Sequence, residues 1–273
     1  MTELDGSNRI DRIFAEHRRA GTAALMPFVV GGHPMIDRFG ELLRAVDDAG
    51  ASVIEVGFPF SDPVADGPVI AAAMHGALER GVTPEDIFRS VGGVRSDIDA
   101  GIVAMISISM VHRLGGPAGF AARASDSGFD GCIVPDVPLE ESGPLVEACR
   151  DVGLTLSLLI APSTPEDRAA RIAERCTGFV YLLARAGITG ETGGPPEISD
   201  RIEHLRRVTD LPIAVGFGIS SASHVRSVVA HADAAIVGSA LIRRIDEAVE
   251  ADLDPVDEVR SFVSDLAAGL DRV

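Results

Sequence analysis

Ala24-Leu25-Met26-Pro27-Phe28-Val29-Val30 is an unbroken apolar run, and Ser52-Val53-Ile54-Glu55-Val56-Gly57 is a second run with one acid in its middle. Residues 35–49, between them, carry apolar side chains at helical spacing. A strand buried on one face alternates apolar with polar residues. These runs do not alternate, so both faces are covered, as in a parallel sheet packed under helices. The first 57 residues therefore read as a strand–helix–strand unit.

The same alternation runs through the rest of the chain. Candidate strands fall at residues 24–30, 52–57, 102–107, 131–134, 154–160, 178–183, 212–217 and 234–237. Helical patterns fill the gaps at 35–49, 69–79 with 84–94, 117–125, 139–152, 165–175, 198–208 and 221–230. Two more, 240–248 and 255–268, follow the last strand. Some open on a capping residue and a proline, as in Thr83-Pro84-Glu85 and Ser163-Thr164-Pro165. Eight strands, each followed by a helix, predict an α/β fold of the (β/α)8 TIM-barrel type, as one domain over residues 1–273. Residues 10–17 predict an extra N-terminal helix capping the barrel bottom, and 240–248 an extra helix near a strand 8 phosphate site. A doubly wound open sheet would be favoured by Gly-x-Gly-x-x-Gly after the first strand. The nearest approach, Gly216-Phe217-Gly218-Ile219-Ser220-Ser221, lacks the third glycine and comes late.

Composition narrows the chemistry. All 24 basic residues are arginine, and there is no lysine. A Schiff-base aldolase, a pyridoxal-phosphate enzyme and a Walker A nucleotide site each need that amine, so all three are excluded for this chain. A formal charge of −17 argues against nucleic-acid or anionic-membrane surfaces. Cys132, Cys149 and Cys176 are scattered without CxxC spacing, and Cys132 reads as a buried, inert thiol. Residues 1–8 have no basic or apolar leader pattern, and the apolar stretch 102–111 is too short to span a bilayer. The expectation is a soluble, cytoplasmic protein. The seven histidines are dispersed, without metal-ligand spacing.

Active sites of such barrels lie at the C-terminal ends of the strands. Glu55 ends the second strand inside an apolar run; it is either a structural acid paired with a neighbour or a general acid–base whose pKa is raised by desolvation. The loop Pro59-Phe60-Ser61-Asp62-Pro63-Val64-Ala65-Asp66-Gly67-Pro68 is stiffened by three prolines and presents Asp62 and Asp66. Turn formation or helix capping explains Asp66 as well as function does, and Asp62 better. Gly216-Phe217-Gly218-Ile219-Ser220 and Gly238-Ser239-Ala240 follow the seventh and eighth strands, where barrels commonly bind phosphate through backbone N–H groups. Residues 184–196 form a glycine-rich loop, readable as a lid or as a surface loop. His33 follows the first strand and reads as a loop histidine, with an acid–base role as the alternative. Gly-x-Ser-x-Gly does not occur.

The stretch Glu55-Val56-Gly57-Phe58-Pro59-Phe60-Ser61-Asp62-Pro63-Val64-Ala65-Asp66-Gly67-Pro68 closely resembles the signature of the tryptophan synthase α-chain family. Asp136-Val137-Pro138-Leu139-Glu140-Glu141-Ser142 resembles the family's strand 4 segment. Tyr181-Leu182-Leu183 with Gly187-Ile188-Thr189-Gly190 resembles strand 6 and its mobile loop, and the two glycine loops resemble the phosphate site. The resemblance implies a lyase of tryptophan biosynthesis that splits indole-3-glycerol phosphate into indole and glyceraldehyde 3-phosphate. It implies Glu55 as general acid–base and Asp66 as second catalytic carboxylate. Tyr181, Thr189, Gly190, Phe217, Gly218, Gly238 and Ser239 would bind substrate, and no metal would take part. Pro59, Phe60 and Asp62 would contact a β chain in an α2β2 tetramer. Pyridoxal phosphate would sit on that partner, leaving this chain without a cofactor. Ser107 and Ser109 stand where the family usually carries tyrosine and asparagine, and His33 stands where an aspartate is common. These departures keep two rival readings in view, a stand-alone lyase releasing free indole and a non-catalytic regulatory subunit.

Overall fold

The computed structural model describes residues 8–63, 66–184, 198–216 and 218–270. Nine parallel strands among them run in the order β5-β4-β3-β2-β1-β9-β8-β7-β6. They are β1 (Ala24–Val30), β2 (Val53–Gly57), β3 (Gly101–Met105), β4 (Gly131–Ile133), β5 (Thr155–Ser157), β6 (Leu159–Ile160), β7 (Val180–Leu183), β8 (Ile213–Gly216) and β9 (Ala234–Val237). Every residue of β1, β2, β8 and β9 is buried, as expected for strands covered on both sides.

β5 and β6 are two pieces of one predicted strand, residues 154–160, split at Leu158. The first piece pairs with β4 and the second with β7, so the split strand closes the sheet into an eight-staved barrel. The break has a local cause: the Leu158 N–H donates to the Cys176 thiol at 3.3 Å rather than to a neighbouring strand. Several further boundaries differ from expectation, among them the helix expected at 139–152, which is a 3-10 turn, Leu139–Glu141, followed by the α-helix Gly143–Asp151. The third strand ends at Met105, and Ser107 instead caps an unpredicted short helix, α5 (Ile108–Arg113). The helix predicted at 35–49 begins with a 3-10 turn, Ile36–Arg38, before the α-helix Phe39–Asp48.

Side chains divide between two cores. One lies between strands and helices and contains Ile54 and Val56; the other fills the barrel and contains Ala24, Met26, Val53, Val103, Ile133 and Tyr181. Strand residues two apart share a face, so Glu55 points into the barrel alongside Val53. The helix α1 (Arg9–Ala20) seals the bottom, inserting Ile10 and Phe14 into the barrel core. Asn8 fastens it. Its Oδ1 accepts from the Ile10 N–H at 2.8 Å, while its Nδ2 donates to the carbonyls of Asp130 and Gly153 at 2.7 and 2.6 Å. Gly101 leaves room for this plug, because a Cβ there would stand 2.3 Å from Ile10 Cδ1. No helix among the described residues is long and apolar enough to cross a membrane.

Candidate active site

Glu55 is fully buried, and neither carboxyl oxygen has a hydrogen-bond partner among the described residues. Its strand neighbours at the same level are Phe28 and Val103, which supply no donor. Burial pushes its carboxyl well above the ordinary value of 4.5, which favours the protonated acid. The structural alternative, a carboxylate paired with a neighbouring strand, is not what the geometry displays.

Asp66 sits above it in the loop that leads into α3 (Pro68–Glu79). That helix starts on Pro68 with Gly67, which has no side chain, as its N-cap. The Asp66 carboxyl is therefore not used as a cap. Only its backbone N–H closes a turn, onto the Pro63 carbonyl at 3.0 Å. Burial lifts its pKa to about 6.

Tyr181 completes the group. It lies in the barrel core on β7, and burial first, with smaller contributions from the neighbouring carboxyls of Glu55 and Asp66, pushes its phenol well above 10. The Tyr181 phenol thus feels both carboxyls. The ring passes over Gly216, where a Cβ would stand 2.6 Å from the hydroxyl. Gly57 plays the same part for Phe28, whose Cζ is 2.5 Å from the position of an added Cβ.

The glycine loops flank this group. Gly218 has φ +69°, a conformation that favours glycine. Gly238 caps the helix α11 (Ser239–Glu250), which begins directly after β9 as the predicted extra helix, and a Cβ on Gly238 would face Ile70 and Phe28 at 3.5 and 3.8 Å. The first N–H groups of such a helix have no intrahelical acceptor, which suits them to phosphate oxygens. Thr189, Gly190 and Phe217 lie outside the described residues.

A mainly apolar cleft opens beside the carboxylates, lined by Phe60, Asp62, Asp66, Met105, Ser107 and Asp136 among others. Phe60 is half-buried and Asp62 exposed at its rim, and Pro59 before them is buried. Asp136 accepts from the Ser107 hydroxyl at 2.7 Å and from the Ile108 N–H at 2.8 Å. Sequence reading gave Asp136 no role, although its place just after the fourth strand marks it by the same positional rule that selected Glu55. His33 is buried under α11, with Nε2 3.0 Å from Asp246 Oδ1, and faces that helix rather than the barrel mouth. Among the described residues no group of three His, Cys, Asp or Glu side chains could hold a metal ion.

The sequence profile of the family described as "Tryptophan synthase alpha chain" matches residues 14–271. The chain belongs to the tryptophan synthase alpha chain family. It is accordingly a lyase of tryptophan biosynthesis, acting in the cleavage of indole-3-glycerol phosphate. A tryptophan synthase alpha chain of Acaryochloris marina is 42% identical over 236 residues, covering 86% of this chain and 88% of that one. The crystal structure of the Legionella pneumophila tryptophan synthase subunit alpha superimposes with a TM-score of 0.90 at 30% identity, covering 97% of this chain and 99% of that one. A Mycobacterium tuberculosis tryptophan synthase in its aminoacrylate-bound form gives 0.86 at 30% identity, covering 97% and 100%. The parallel barrel is thus that of the family's solved structures.

Proposed function

We propose that Glu55 and Asp66 carry out the cleavage, with Tyr181 forming the wall against which the indole ring lies. The observation that supports this reading is Glu55 itself, an acid buried inside the barrel with both oxygens unpartnered. An acid whose protonated form is favoured by burial, and which has no partner among the described residues, is suited to giving a proton to a bound substrate. Glu55 donates its proton to indole C3, which converts the ring to an indolenine cation. Asp66 accepts a hydrogen bond from the ring N–H and stabilises that charge. The carboxylate left on Glu55 then takes the proton from the side-chain hydroxyl next to C3. The carbon–carbon bond breaks, its electrons return to the ring, and the alcohol becomes the aldehyde of glyceraldehyde 3-phosphate. No proton is gained or lost overall.

Backbone N–H groups around Gly218, Gly238 and Ser239 hold the phosphate, with Phe217, Thr189 and Gly190 assigned to the same substrate by their motif. Arginine is the sole strongly basic side chain in the sequence, and a lysine is not needed for this mode of binding. The partner is a β chain, reached through Phe60 and Asp62 at the cleft rim, in an α2β2 assembly. Pyridoxal phosphate, which would join indole to serine, needs a lysine for its Schiff base and so belongs to that partner.

The test is indole release from indole-3-glycerol phosphate by wild type and Glu55→Gln, each with and without a β chain. Wild type turns over, faster with the partner, and the variant does not. Near-normal turnover by Glu55→Gln would sink the assignment. Rapid wild-type turnover that ignores the β chain would favour the stand-alone lyase.

A further inference from the structure

The weakest joint in the barrel lies beside Tyr181. β6 and β7 share only two paired positions, Leu159 with Tyr181 and Ile160 with Leu182. Below this pair the fifth strand breaks at Leu158, and among the described residues no pairing with β7 continues beyond Ile160. A two-residue ladder fixes its strands poorly, and each end leaves carbonyls to be satisfied by other groups.

Side chains take over at both ends. Beneath, the buried Ser157 hydroxyl donates to the Phe179 carbonyl at 2.8 Å. Above, Arg201, on the helix α9 (Ser199–Leu205), donates through one guanidinium nitrogen to the Leu183 carbonyl at 2.9 Å and through the other to the Ala161 carbonyl at 2.8 Å. One planar fork thus replaces the missing rung between the two chain segments leaving β6 and β7. Tyr181 stands between the two clasps, two residues from Phe179 and two from Leu183.

We propose that Arg201 is a positioning residue for the cleavage reaction: by tying Ala161 to Leu183 it holds Tyr181 at the depth and angle at which its ring walls the indole pocket. The inference rests on the assignment of Tyr181 to that wall. A guanidinium is needed because its nitrogens reach two acceptors at once in fixed geometry, whereas a lysine ammonium would hold them loosely.

The composition supplies a direct probe. Tyr181 is the only tyrosine and there is no tryptophan, so phenol absorbance and emission report on this one side chain. Wild type, Arg201→Lys and Arg201→Met are compared by acrylamide quenching of tyrosine emission in the free protein, by kcat and KM, and by thermal unfolding. In Arg201→Met, quenching rises at least about twofold and kcat/KM falls about tenfold, because small displacements of a positioning wall are costly. Arg201→Lys falls between. Ser157→Ala, which opens the lower clasp, moves the same emission signal. Unchanged quenching and kinetics in a folded Arg201→Met protein would overturn the proposal. So would a lowered Tm with tyrosine emission and KM unaltered, since that is the pattern of a purely structural arginine. The emission needs no turnover, so it still answers if the Glu55→Gln test removes the catalytic reading.

Discussion

The Tyr181 ring lies directly over Gly216, with its hydroxyl 2.6 Å and its ring carbons 3.0 Å from where a Cβ on that glycine would be. The contact joins the candidate indole wall on β7 to the strand that leads into the first glycine loop. Gly216→Ala therefore drives the ring out of its place rather than merely stiffening the chain. We expect kcat/KM to fall by about 10- to 100-fold, with a loss of stability of about 1–3 kcal/mol from overpacking. Steady-state kinetics and urea unfolding of the variant check both.

The proposed role of Glu55 carries a cost in stability that can be measured. Its folded-state pKa is raised, so between 4.5 and that higher value the folded protein holds a proton that the unfolded chain has released. Stability then falls as pH rises through this window, the opposite of a salt-bridged carboxylate. Glu55→Gln removes the titration. Urea midpoints measured from about pH 5 to about pH 8 should therefore decline for wild type relative to the variant. Parallel curves would show that Glu55 is not held protonated.

Asp66, at about 6, crosses its titration within the working range. If its anion accepts the ring N–H, kcat/KM falls about tenfold for each pH unit below that value. Asp66→Asn loses roughly 100-fold or more in rate and lacks this limb. Any acid limb shared by wild type and Asp66→Asn belongs to the substrate phosphate. A wild-type profile no steeper than the variant's would remove Asp66 from the mechanism.

Asn8 separates folding from chemistry. It caps α1 and ties the helix to the carbonyls of Asp130 and Gly153 across the barrel bottom. Asn8→Ala should cost about 1–2 kcal/mol while leaving kcat and KM at low temperature unchanged, because the site is at the other end. Thermal unfolding beside kinetics checks this, and an altered KM would show that the two ends are coupled.

Sequence reading recovered most of the architecture because the signals were local. β1 and β9 fall on the expected residues, and Pro84–Val94 is the expected helix with its Thr83 cap. What it missed depends on partners far along the chain. Leu158 reads as mid-strand until Cys176, 18 residues away, takes its N–H. Residues 106–107 read as the end of a strand because Ile106 continues the apolar run and a serine cap looks like any polar boundary. In the site, Glu55 was visible as an acid inside an apolar strand. The capping explanation for Asp66 fell only when the helix was seen to start at Pro68 with no side-chain cap. Arg201 left no trace at all, since its acceptors are backbone carbonyls, which every residue carries.

The plug made by Ile10 and Phe14 turns the barrel into a vessel with one mouth. Whatever reaches Glu55 comes from the strand-end side, and whatever is released leaves from that side, by the mouth or along the cleft lined by Phe60. Traffic is then governed entirely by what covers that single face, so anything docked there acts as a stopper for both entry and exit. Remodelling the floor would change how long the vessel lasts; remodelling the rim would change what it delivers, and to whom.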